Sequence, residues 1–362
     1  MDHKGRQKKL QQVLESNRLD GLLVTHLPNI RYLCGFTGSA GALVIGETRS
    51  VFFTDGRYRE QAHTEVQGSR VVIARLPPLT TAGLWLAGNG RKLGLKTIGI
   101  ESEHLSVAER TRLGKTLKSG VRLRPAPPLV EQARMVKDAE EIERLRAAVI
   151  LGAGLFDQAL QTIRPGVKET EVAAAMEFAA RRAGAEGMSF ETIIASGPRS
   201  ALPHGRASEA LIPAHGFVVC DFGVILAGYC SDMTRTVHVG RPSDRALRIY
   251  EAVCQAQQAA VEAIRPGVKL GEVDRAARKM LQKNGLGRYF THSTGHGVGL
   301  EIHEAPRIAA GLTELLRPGM VITVEPGVYL PGVGGVRIED MVVVTEGGCE
   351  VLTPTGKQLI AI

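Results

Sequence analysis

The residues best suited to chemistry lie in one glycine-rich stretch towards the C-terminal end of the chain. Residues 292–304 read His-Ser-Thr-Gly-His-Gly-Val-Gly-Leu-Glu-Ile-His-Glu, with histidines at His292, His296 and His303. Glycine permits backbone conformations that other residues avoid, and it lets a ligand approach the chain closely. Because glycine is unfavourable inside helices and strands, the stretch predicts a loop. Its chemistry would be the presentation of His296 to a metal or a substrate; the alternative is a surface loop with incidental histidines.

An internal repeat places this stretch in the second of two related halves. The segment Ile163-Arg-Pro-Gly-Val-Lys reappears as Ile264-Arg-Pro-Gly-Val-Lys, an offset of 101 positions (264 minus 163). Each copy predicts a helix that ends at a Pro-Gly turn and is followed by a second amphipathic helix. A Gly-rich stretch with a histidine and then an apolar strand come next in both halves. We expect equivalent residues of the halves to meet near one axis, where binding sites often form.

Four carboxylates occupy matching places in the two halves. Asp221 and Asp232 lie in the first half, and their counterparts Glu325 and Glu339 lie 104 (325 minus 221) and 107 (339 minus 232) positions later. Asp221 and Glu325 follow continuous apolar runs, where an unpaired charge is costly. Taken singly, Asp232 or Glu339 is more simply explained as a solvated strand end or a salt-bridge partner. The duplication, however, predicts that all four carboxylates come together.

Such a cluster requires cations, because like charges in an apolar sheet repel one another and resist ionisation. Oxygen-rich ligand sets suit hard divalent ions. The four carboxylates and the imidazole of His296 therefore predict two divalent metals with bridging carboxylates. Two such ions would nearly balance the four negative charges.

The predicted elements divide the chain near Pro125-Ala-Pro-Pro. Residues 1–128 alternate strands with helices, which is typical of an α/β domain. Residues 129–362 open with a helix at about 137–163, contain the repeat and form an α+β domain. In the first domain we expect helices at 8–18, 55–66, 82–93 and 106–117, strands at 21–25, 41–45, 50–54, 70–74 and 97–101, and a turn at Pro28-Asn29.

Composition argues against several classes of protein. No run of eighteen apolar residues is present to span a membrane, and the polar N-terminus lacks the apolar core of a signal peptide. The five cysteines are scattered and odd in number, which favours reduced thiols in a cytoplasm. The net charge of +8 is spread along the chain, and its densest cluster, Arg110–Arg124, predicts a solvated helix face. We therefore expect a cytoplasmic protein that binds neither nucleic acid nor a membrane.

Several spaced motifs accompany the candidate residues. They are Asn29-Ile-Arg-Tyr-Leu-Cys-Gly-Phe-Thr-Gly-Ser39, Thr54-Asp-Gly-Arg-Tyr58, Leu202-Pro-His204-Gly, Asp221-Phe-Gly, Ser231-Asp232-Met-Thr-Arg235, Gly295-His296-Gly-Val-Gly299, His303-Glu304, Glu325-Pro-Gly327 and Arg337-Ile-Glu339-Asp340. Through these motifs the second part resembles the pita-bread metallopeptidases, and the first part resembles the creatinase-type N-terminal domain. The whole chain resembles the proline-specific branch, prolidase and aminopeptidase P. The resemblance implies an α/β N-terminal domain followed by a pita-bread catalytic domain with an internal pseudo-two-fold repeat.

The resemblance also implies a role for each candidate ligand. Asp221 would ligate one metal, and Asp232 and Glu339 would bridge both. His296 and Glu325 would ligate the other metal, and Glu325 would also accept and donate a proton. Manganese is the expected metal, since carboxylate-rich sites favour hard ions, and cobalt or zinc could replace it in vitro.

Further positions would act on the substrate. The resemblance implies that His204 and His303 hold the scissile carbonyl and the tetrahedral intermediate, and that Arg337 orients a carboxylate. His292 matches a position beside the proline pocket. The family further suggests a homodimer.

The implied activity is hydrolysis of the Xaa-Pro bond in small peptides with proline at the second position. The compact size of the chain and the amino-acid sequence of residues 292–304 favour a dipeptidase (prolidase). Aminopeptidase P, which accepts longer peptides, is one alternative. A non-catalytic relative that binds peptides or nucleic acid is another, and the five intact ligands argue against it.

Overall fold

The computed structural model of the protein describes residues 1–117 and 120–362. The chain divides into two compact units, Met1–Arg134 and Met135–Ile362. The first unit thus continues past the prolines at 125–128. Among the described residues, no helix has both the length and the apolar character that crossing a membrane demands.

A mixed sheet forms the centre of the first unit. Its strands are β1 (Gly21–Val24), β2 (Ala42–Gly46), β3 (Ser50–Asp55), β4 (Arg70–Ala74), β5 (Thr97–Glu101) and β6 (Arg122–Ala126). Its helices are α1 (His3–Ser16), α2 (Leu27–Cys34), α3 (Arg59–Glu65), α4 (Pro78–Asn89), α5 (Val107–Leu117) and α6 (Leu129–Arg134). The described strands follow the order β4-β3-β2-β1-β5-β6, with β2 antiparallel to both neighbours and the remaining pairs parallel. Apolar residues of the strands pack with those of α4 and α5 to form its core.

Helices α3 and α5 lie close to their predicted positions, whereas three other helices of this unit differ from the prediction for local reasons. The expected turn at Pro28-Asn29 is wrong, because Pro28 lies in the first turn of α2, where its missing N–H is not needed. Helix α4 likewise begins with Pro78, four residues before the predicted start. Helix α1 begins at His3 because the carboxylate of Asp2 caps it, accepting the Gly5 N–H at 2.8 Å.

The basic cluster Arg110–Arg124 is not one helix face. Helix α5 ends at Leu117, and β6 pairs in parallel with β5 from Arg122 onwards. Strand β6 stands at the end of the strand order, so it tolerates Pro125, which cannot donate a ladder hydrogen bond. Arg122, Arg124 and Pro125 therefore belong to an edge strand, whereas the basic residues at 110–117 lie in helix α5, close to the predicted helix at 106–117.

The second unit contains two helix pairs and several antiparallel sheets in its described residues. Its helices are α7 (Ala139–Thr162), α8 (Glu169–Arg182), α9 (Asp244–Glu262) and α10 (Leu270–Lys283). Its strands are β7 (Gly187–Met188), β8 (Ile193–Ser196), β9 (Gly216–Phe222), β10 (Val224–Leu226), β11 (Tyr229–Cys230), β12 (Met233–Val239), β13 (Gly295–Gly297), β14 (Glu304–Ile308), β15 (Val321–Val324), β16 (Gly327–Leu330), β17 (Gly334–Arg337), β18 (Asp340–Val344) and β19 (Cys349–Val351). Short 3-10 helices occur at Gly56–Tyr58, Arg91–Leu93, Gly197–Ala201 and Gly287–Tyr289.

The two halves of this unit repeat one arrangement, as the sequence predicts. The pair α7–α8 precedes antiparallel strands in the order β8-β9-β12, and the pair α9–α10 precedes β13-β15-β18. The Pro-Gly turns match as well, with left-handed φ angles of 83° at Gly166 and 81° at Gly267. Each of these glycines donates its N–H at 2.9 Å to an equivalent carbonyl, that of Ile212 in the first half and that of Leu316 in the second.

Each helix pair covers its own strands with apolar side chains. Helices α7 and α8 pack with β9 and β12 in one buried cluster, whereas α9 and α10 pack with β15 and β18 in another. Helix α7 starts at a capping box, in which Asp138 accepts the Glu141 N–H at 2.9 Å and Glu141 accepts the Asp138 N–H at 3.1 Å. The helices thus hold the strand ends that carry the candidate ligands.

Candidate metal centre

The four candidate carboxylates lie at strand ends of the two halves. Asp221 is within β9, Asp232 precedes β12, Glu325 follows β15, and Glu339 stands between β17 and β18. Of the four, only Asp221 lies within a strand, whereas the other three directly precede or follow one. A strand end leaves the backbone free to turn, so each side chain can point towards the neighbouring half.

The structure brings a group of these residues close together. The ligand atoms of Asp232, His296 and Glu339 all lie within 4.8 Å of one another. The Nε2 atom of His296 is 3.6 Å from Oδ2 of Asp232 and 3.6 Å from Oε1 of Glu325. The Nδ1 atom of His296 lies 3.0 Å from the Gly297 carbonyl, which can only accept a hydrogen bond. This contact assigns the proton to Nδ1 and leaves the lone pair of Nε2 directed at the carboxylates.

Burial and mutual repulsion dominate the electrostatics of the cluster. Burial, then the charges of Glu339, Asp221 and Glu325, raise the pKa of Asp232 well above its usual range. Burial and the neighbouring carboxylates likewise raise the pKa of Glu339 well above its usual range. Burial raises the pKa of Glu325 to about 8, and it lowers the pKa of His296 to about 4. The imidazole is therefore neutral at pH 7, as metal ligation requires.

Unpartnered oxygen atoms show that the cluster fits a cation. Within the described residues, Oδ1 of Asp221 and Oδ1 of Asp232 are buried and have no hydrogen-bond partner. Buried polar atoms without partners are costly, and each such atom in a folded protein calls for an explanation. A divalent cation would satisfy both atoms and offset the repulsion that raises the carboxyl pKa values. The oxygen-rich donor set, with one imidazole, suits such an ion.

Arg337 connects the cluster to its surroundings. Its guanidinium group forms a buried ion pair with Asp221 and donates at 3.1 Å to the Thr234 hydroxyl. The hydroxyl of Thr234 in turn donates to Glu339 at 2.7 Å. The Nη1 atom of the same guanidinium group donates to the Tyr329 hydroxyl at 2.6 Å and to the Pro203 carbonyl at 3.1 Å. Arg337 thus orients the carboxylate of Asp221 and reaches Glu339 through one hydroxyl.

Three further histidines predicted as site residues surround the cluster. The His303 ring lies 4.4 Å from the His296 ring, centroid to centroid, and both His303 and His204 are exposed. Desolvation lowers the pKa of His303, and the charge of His204 lowers it further. The Nε2 atom of His292 is 2.9 Å from the Tyr329 hydroxyl, and burial lowers the pKa of His292 to about 4. The roles predicted for these histidines remain predictions.

Two residues of this site carried no functional role in the sequence analysis. Thr234 and Tyr329 each bond to Arg337, and each touches a second site residue, Glu339 or His292. Thr234 lies in the motif Ser231-Asp-Met-Thr-Arg, and Tyr329 is the second residue after Glu325-Pro-Gly327. Position within a motif was the available signal, because neither residue type suggests a metal ligand.

The glycine-rich stretch around His296 is a loop over most of its length, as predicted, but its centre is a short strand. Gly295, His296 and Gly297 form the short strand β13, which pairs with β14 and β15 and has an irregular register after His296. A Cβ atom at Gly295 would collide with the Thr323 carbonyl oxygen, and one at Gly297 with that of Ala305. The glycines therefore allow a close approach between strands, and the strand carries His296 rigidly.

Comparisons with known proteins agree with this architecture. Residues 143–346 match metallopeptidase family M24, and residues 6–136 match the creatinase/prolidase N-terminal domain. An Xaa-Pro dipeptidase of Pyrococcus horikoshii is 38% identical, over 98% of this chain and 98% of its own length. The solved structure of an Xaa-Pro dipeptidase from Bacillus anthracis has a TM-score of 0.95 and 41% identity, with 100% of both chains covered. That of an X-Pro aminopeptidase from Thermotoga maritima has a TM-score of 0.87 and 37% identity, with 96% of this chain and 100% of that chain covered.

The chain therefore belongs to metallopeptidase family M24. It is a metallopeptidase with a creatinase/prolidase N-terminal domain, which confirms the predicted two-domain architecture. Membership of the family implies divalent metals, in agreement with the buried carboxylates and His296.

Proposed function

We propose that the protein is an Xaa-Pro dipeptidase that holds two divalent metals between the halves of its catalytic unit. The observation that carries the proposal is the buried cluster in which the ligand atoms of Asp232, His296 and Glu339 lie within 4.8 Å of one another. The similarity to proteins named Xaa-Pro dipeptidase, which extends over nearly the full length of both chains, supports the substrate class.

Five residues would hold the metals. In this proposal Asp232 and Glu339 would be shared by the two ions, Asp221 would contribute to one site, and His296 and Glu325 would contribute to the other. Manganese is the proposed metal because four of the five ligands are carboxylates. When bound, such ions supply Lewis acidity and make a nucleophilic water available near neutral pH.

The remaining chemistry belongs to side chains of this protein. His204 and His303 are exposed, and we assign them contacts with the scissile carbonyl oxygen as it gains negative charge. Glu325 would take a proton and return it to the proline nitrogen, which must be protonated to leave. Arg337 orients the carboxylate of Asp221 through their buried ion pair.

Proline sets the substrate apart. Its nitrogen carries no N–H in the peptide bond, so enzymes that bind that N–H do not recognise it. A site that instead acts on the carbonyl of the first residue and on the proline ring can hydrolyse this bond. His292, which contacts Tyr329, is the proposed neighbour of the ring.

The decisive experiment compares two substrates with manganese present. We expect release of proline from Ala-Pro and no release of alanine from Ala-Pro-Ala, with Ala-Ala as the control for proline specificity. Alanine release from the tripeptide would instead support an aminopeptidase P, a second candidate favoured by the similarity to the Thermotoga maritima enzyme. Absence of metal binding under saturating manganese, together with no hydrolysis of any of the three peptides, would support a non-catalytic binding protein.

The proposal includes two properties that the family resemblance suggests. We propose a homodimer, which sedimentation equilibrium would detect as twice the chain mass. We also propose a cytoplasmic location, supported by the odd number and scattered positions of the five cysteines, and cell fractionation would test it.

A further inference from the structure

Each half of the catalytic unit carries a fully buried carboxylate on its second helix, outside the metal cluster. Glu169 begins α8 and Asp274 lies in α10, and both are 0% exposed. Each carboxylate pairs with an arginine: Arg199 donates to Glu169 at 3.0 Å and Arg278 donates to Asp274 at 2.6 Å. A buried charge is unfavourable unless hydrogen bonds satisfy it, so the partners of these two groups indicate their role.

The partners of Asp274 belong to the segment Phe290–Thr294, which contains His292. Asp274 accepts the Thr294 hydroxyl at 2.8 Å. Its partner Arg278 donates to the main-chain carbonyls of Phe290 at 3.1 Å and His292 at 2.5 Å. The pair therefore holds both ends of the segment against α10.

The same segment continues to a candidate metal ligand. The carbonyl of Thr294 accepts the main-chain N–H of Glu325 at 2.8 Å. Asp274 thus connects to the backbone of Glu325 through one residue, Thr294. The orientation of the Asp274 carboxylate therefore influences both His292 and the end of strand β15 at Glu325.

The partners of Glu169 belong to the segment Ser196–Ser208, which contains His204. Glu169 accepts both the main-chain N–H and the hydroxyl of Ser196 at 2.8 Å. It also accepts the N–H of Ser208 at 3.2 Å and the hydroxyl of Ser208 at 2.8 Å. The two serines are the first and last residues of the segment, so the carboxylate of Glu169 holds its two ends together. Between these ends, Arg337 donates a hydrogen bond to the carbonyl of Pro203, the residue before His204.

In both halves a charged group on a rigid helix fixes a segment that bears a histidine. Apolar anchors would bury more favourably but would not fix the direction of the backbone, whereas hydrogen bonds to an ionised acceptor do. His204 is exposed, and the half-buried His292 packs against the Phe290 and Tyr329 rings, so the position of each ring depends on the segment that carries it. Contact with a substrate requires side chains held close to their working geometry.

We propose that Glu169 and Asp274 are positioning residues, Glu169 for His204 and Asp274 with Arg278 for His292. The substrate contacts of the two histidines rest on the proposed function. His204 is assigned to the scissile carbonyl, so loss of Glu169 affects the chemical step. His292 is assigned to the proline ring, so loss of Asp274 affects substrate binding.

The test measures kcat and KM for Ala-Pro in the full-length, manganese-loaded enzyme. Glu169→Gln is expected to lower kcat about tenfold with little change in KM, and Asp274→Asn to raise KM about tenfold with a smaller change in kcat. The matched control is Glu141→Gln, because Glu141 is also a buried carboxylate, 3% exposed, but it caps α7 and accepts the Tyr229 hydroxyl. Glu141→Gln is expected to lower only the folded fraction, so both of its constants should stay near the wild-type values when kcat is expressed per folded enzyme, measured by circular dichroism. If Glu169→Gln and Asp274→Asn behave in the same way, their role is merely structural and the proposal is overturned.

A second pair of variants covers the case in which the carboxylate variants do not fold. Thr294→Val keeps the shape of the side chain and removes the hydroxyl that Asp274 accepts, whereas Thr294→Ser keeps the hydroxyl. The valine variant is expected to reproduce the rise in KM, and the serine variant to reverse most of it. Equal KM values for the two variants would contradict the proposed role of Asp274.

A structural readout separates this proposal from the proposed function. If the wild-type protein releases no proline from Ala-Pro, the proposed function is wrong, and the ring nitrogen NMR signals of the histidines decide the positioning question. Asp274→Asn should shift the His292 signals and not those of His204, and Glu169→Gln should do the reverse. Unchanged histidine signals in both variants would overturn the positioning roles whatever the activity.

Discussion

Replacing Asp232 with Asn tests the metal centre most directly. The change removes one negative charge from the cluster at almost constant side-chain volume. Asp232 lies 3.6 Å from His296 Nε2, and one of its oxygens is buried without a hydrogen-bond partner among the described residues. We expect Asp232→Asn to abolish Xaa-Pro hydrolysis and to weaken manganese binding severely, because an amide is a poor bridging ligand.

The size of the expected change in the free energy of unfolding follows from the raised carboxyl pKa values of the metal-free protein. The pKa of Glu325 rises from 4.5 to about 8, which corresponds to about 5 kcal/mol of stability. A carboxyl whose pKa is raised on folding stabilises the protein fully below its unfolded pKa, and this contribution is lost as the pH rises through the folded pKa. The metal-free wild type should therefore lose stability between about pH 4.5 and pH 8. Asp232→Asn should lose less, by on the order of 1 kcal/mol, because one repelling charge is gone.

The assay is urea unfolding at pH 5 and pH 8, with EDTA and then with excess manganese. At pH 8 manganese should stabilise the wild type by about 2.7 kcal/mol when its concentration is one hundred times the Kd. The variant should be the more stable protein in EDTA and should gain almost nothing from manganese. Normal turnover by Asp232→Asn, or the same manganese stabilisation as in the wild type, would refute the placement of the metals.

Four further changes have defined expected outcomes. His303→Ala should lower kcat by roughly 10²-fold while atomic absorption shows unchanged metal content; loss of the metal instead would mean that His303 acts on the ion. Tyr329→Phe removes the hydroxyl between Arg337 and His292 and should lower kcat/KM about tenfold, whereas an unchanged value would show that this link is idle. Lys137→Met removes the cation that lies 2.7 Å from the buried carboxylate of Glu304 and should lower the free energy of unfolding, measured with urea, by about 3 kcal/mol. An unchanged free energy of unfolding would show that this ion pair is dispensable. Gly295→Ala places a methyl group against a neighbouring carbonyl and should reduce manganese affinity in calorimetric titration, so wild-type affinity would contradict the close strand approach.

The repeat explains why so much of the site could be predicted from sequence. The Ile163 and Ile264 copies predicted two similar halves, and the carboxylates at similar offsets then had to lie near one another. The structure places Asp232 and Glu339 in one cluster with His296, in agreement with that expectation. Titratable residue types gave the chemistry, and the duplication gave their proximity.

The features that could not be predicted depend on partners distant in sequence. Glycines at positions 295 and 297 indicated a loop because propensity describes an isolated segment, whereas these glycines admit neighbouring strands. Thr234 gained its place from contacts with Arg337 and Glu339, each more than a hundred positions away. Pro28 indicated a turn because nothing local distinguishes a proline in a turn from one that begins a helix.

The joint between the halves makes the ligand set sensitive to distant changes. Asp221 and Asp232 belong to the first half, and the other candidate ligands belong to the second. Neither half alone therefore contains the full set of candidate ligands. Hydrogen bonds across the joint fix the halves in register: the N–H of Glu339 donates to the Thr234 carbonyl at 3.1 Å, and the hydroxyl of Thr236 donates to the Arg337 carbonyl at 2.9 Å. A metal ion held by the proposed ligands would therefore link the two halves non-covalently. A substitution that shifts one half relative to the other would separate the candidate ligands and weaken metal binding, even when no ligand residue is changed.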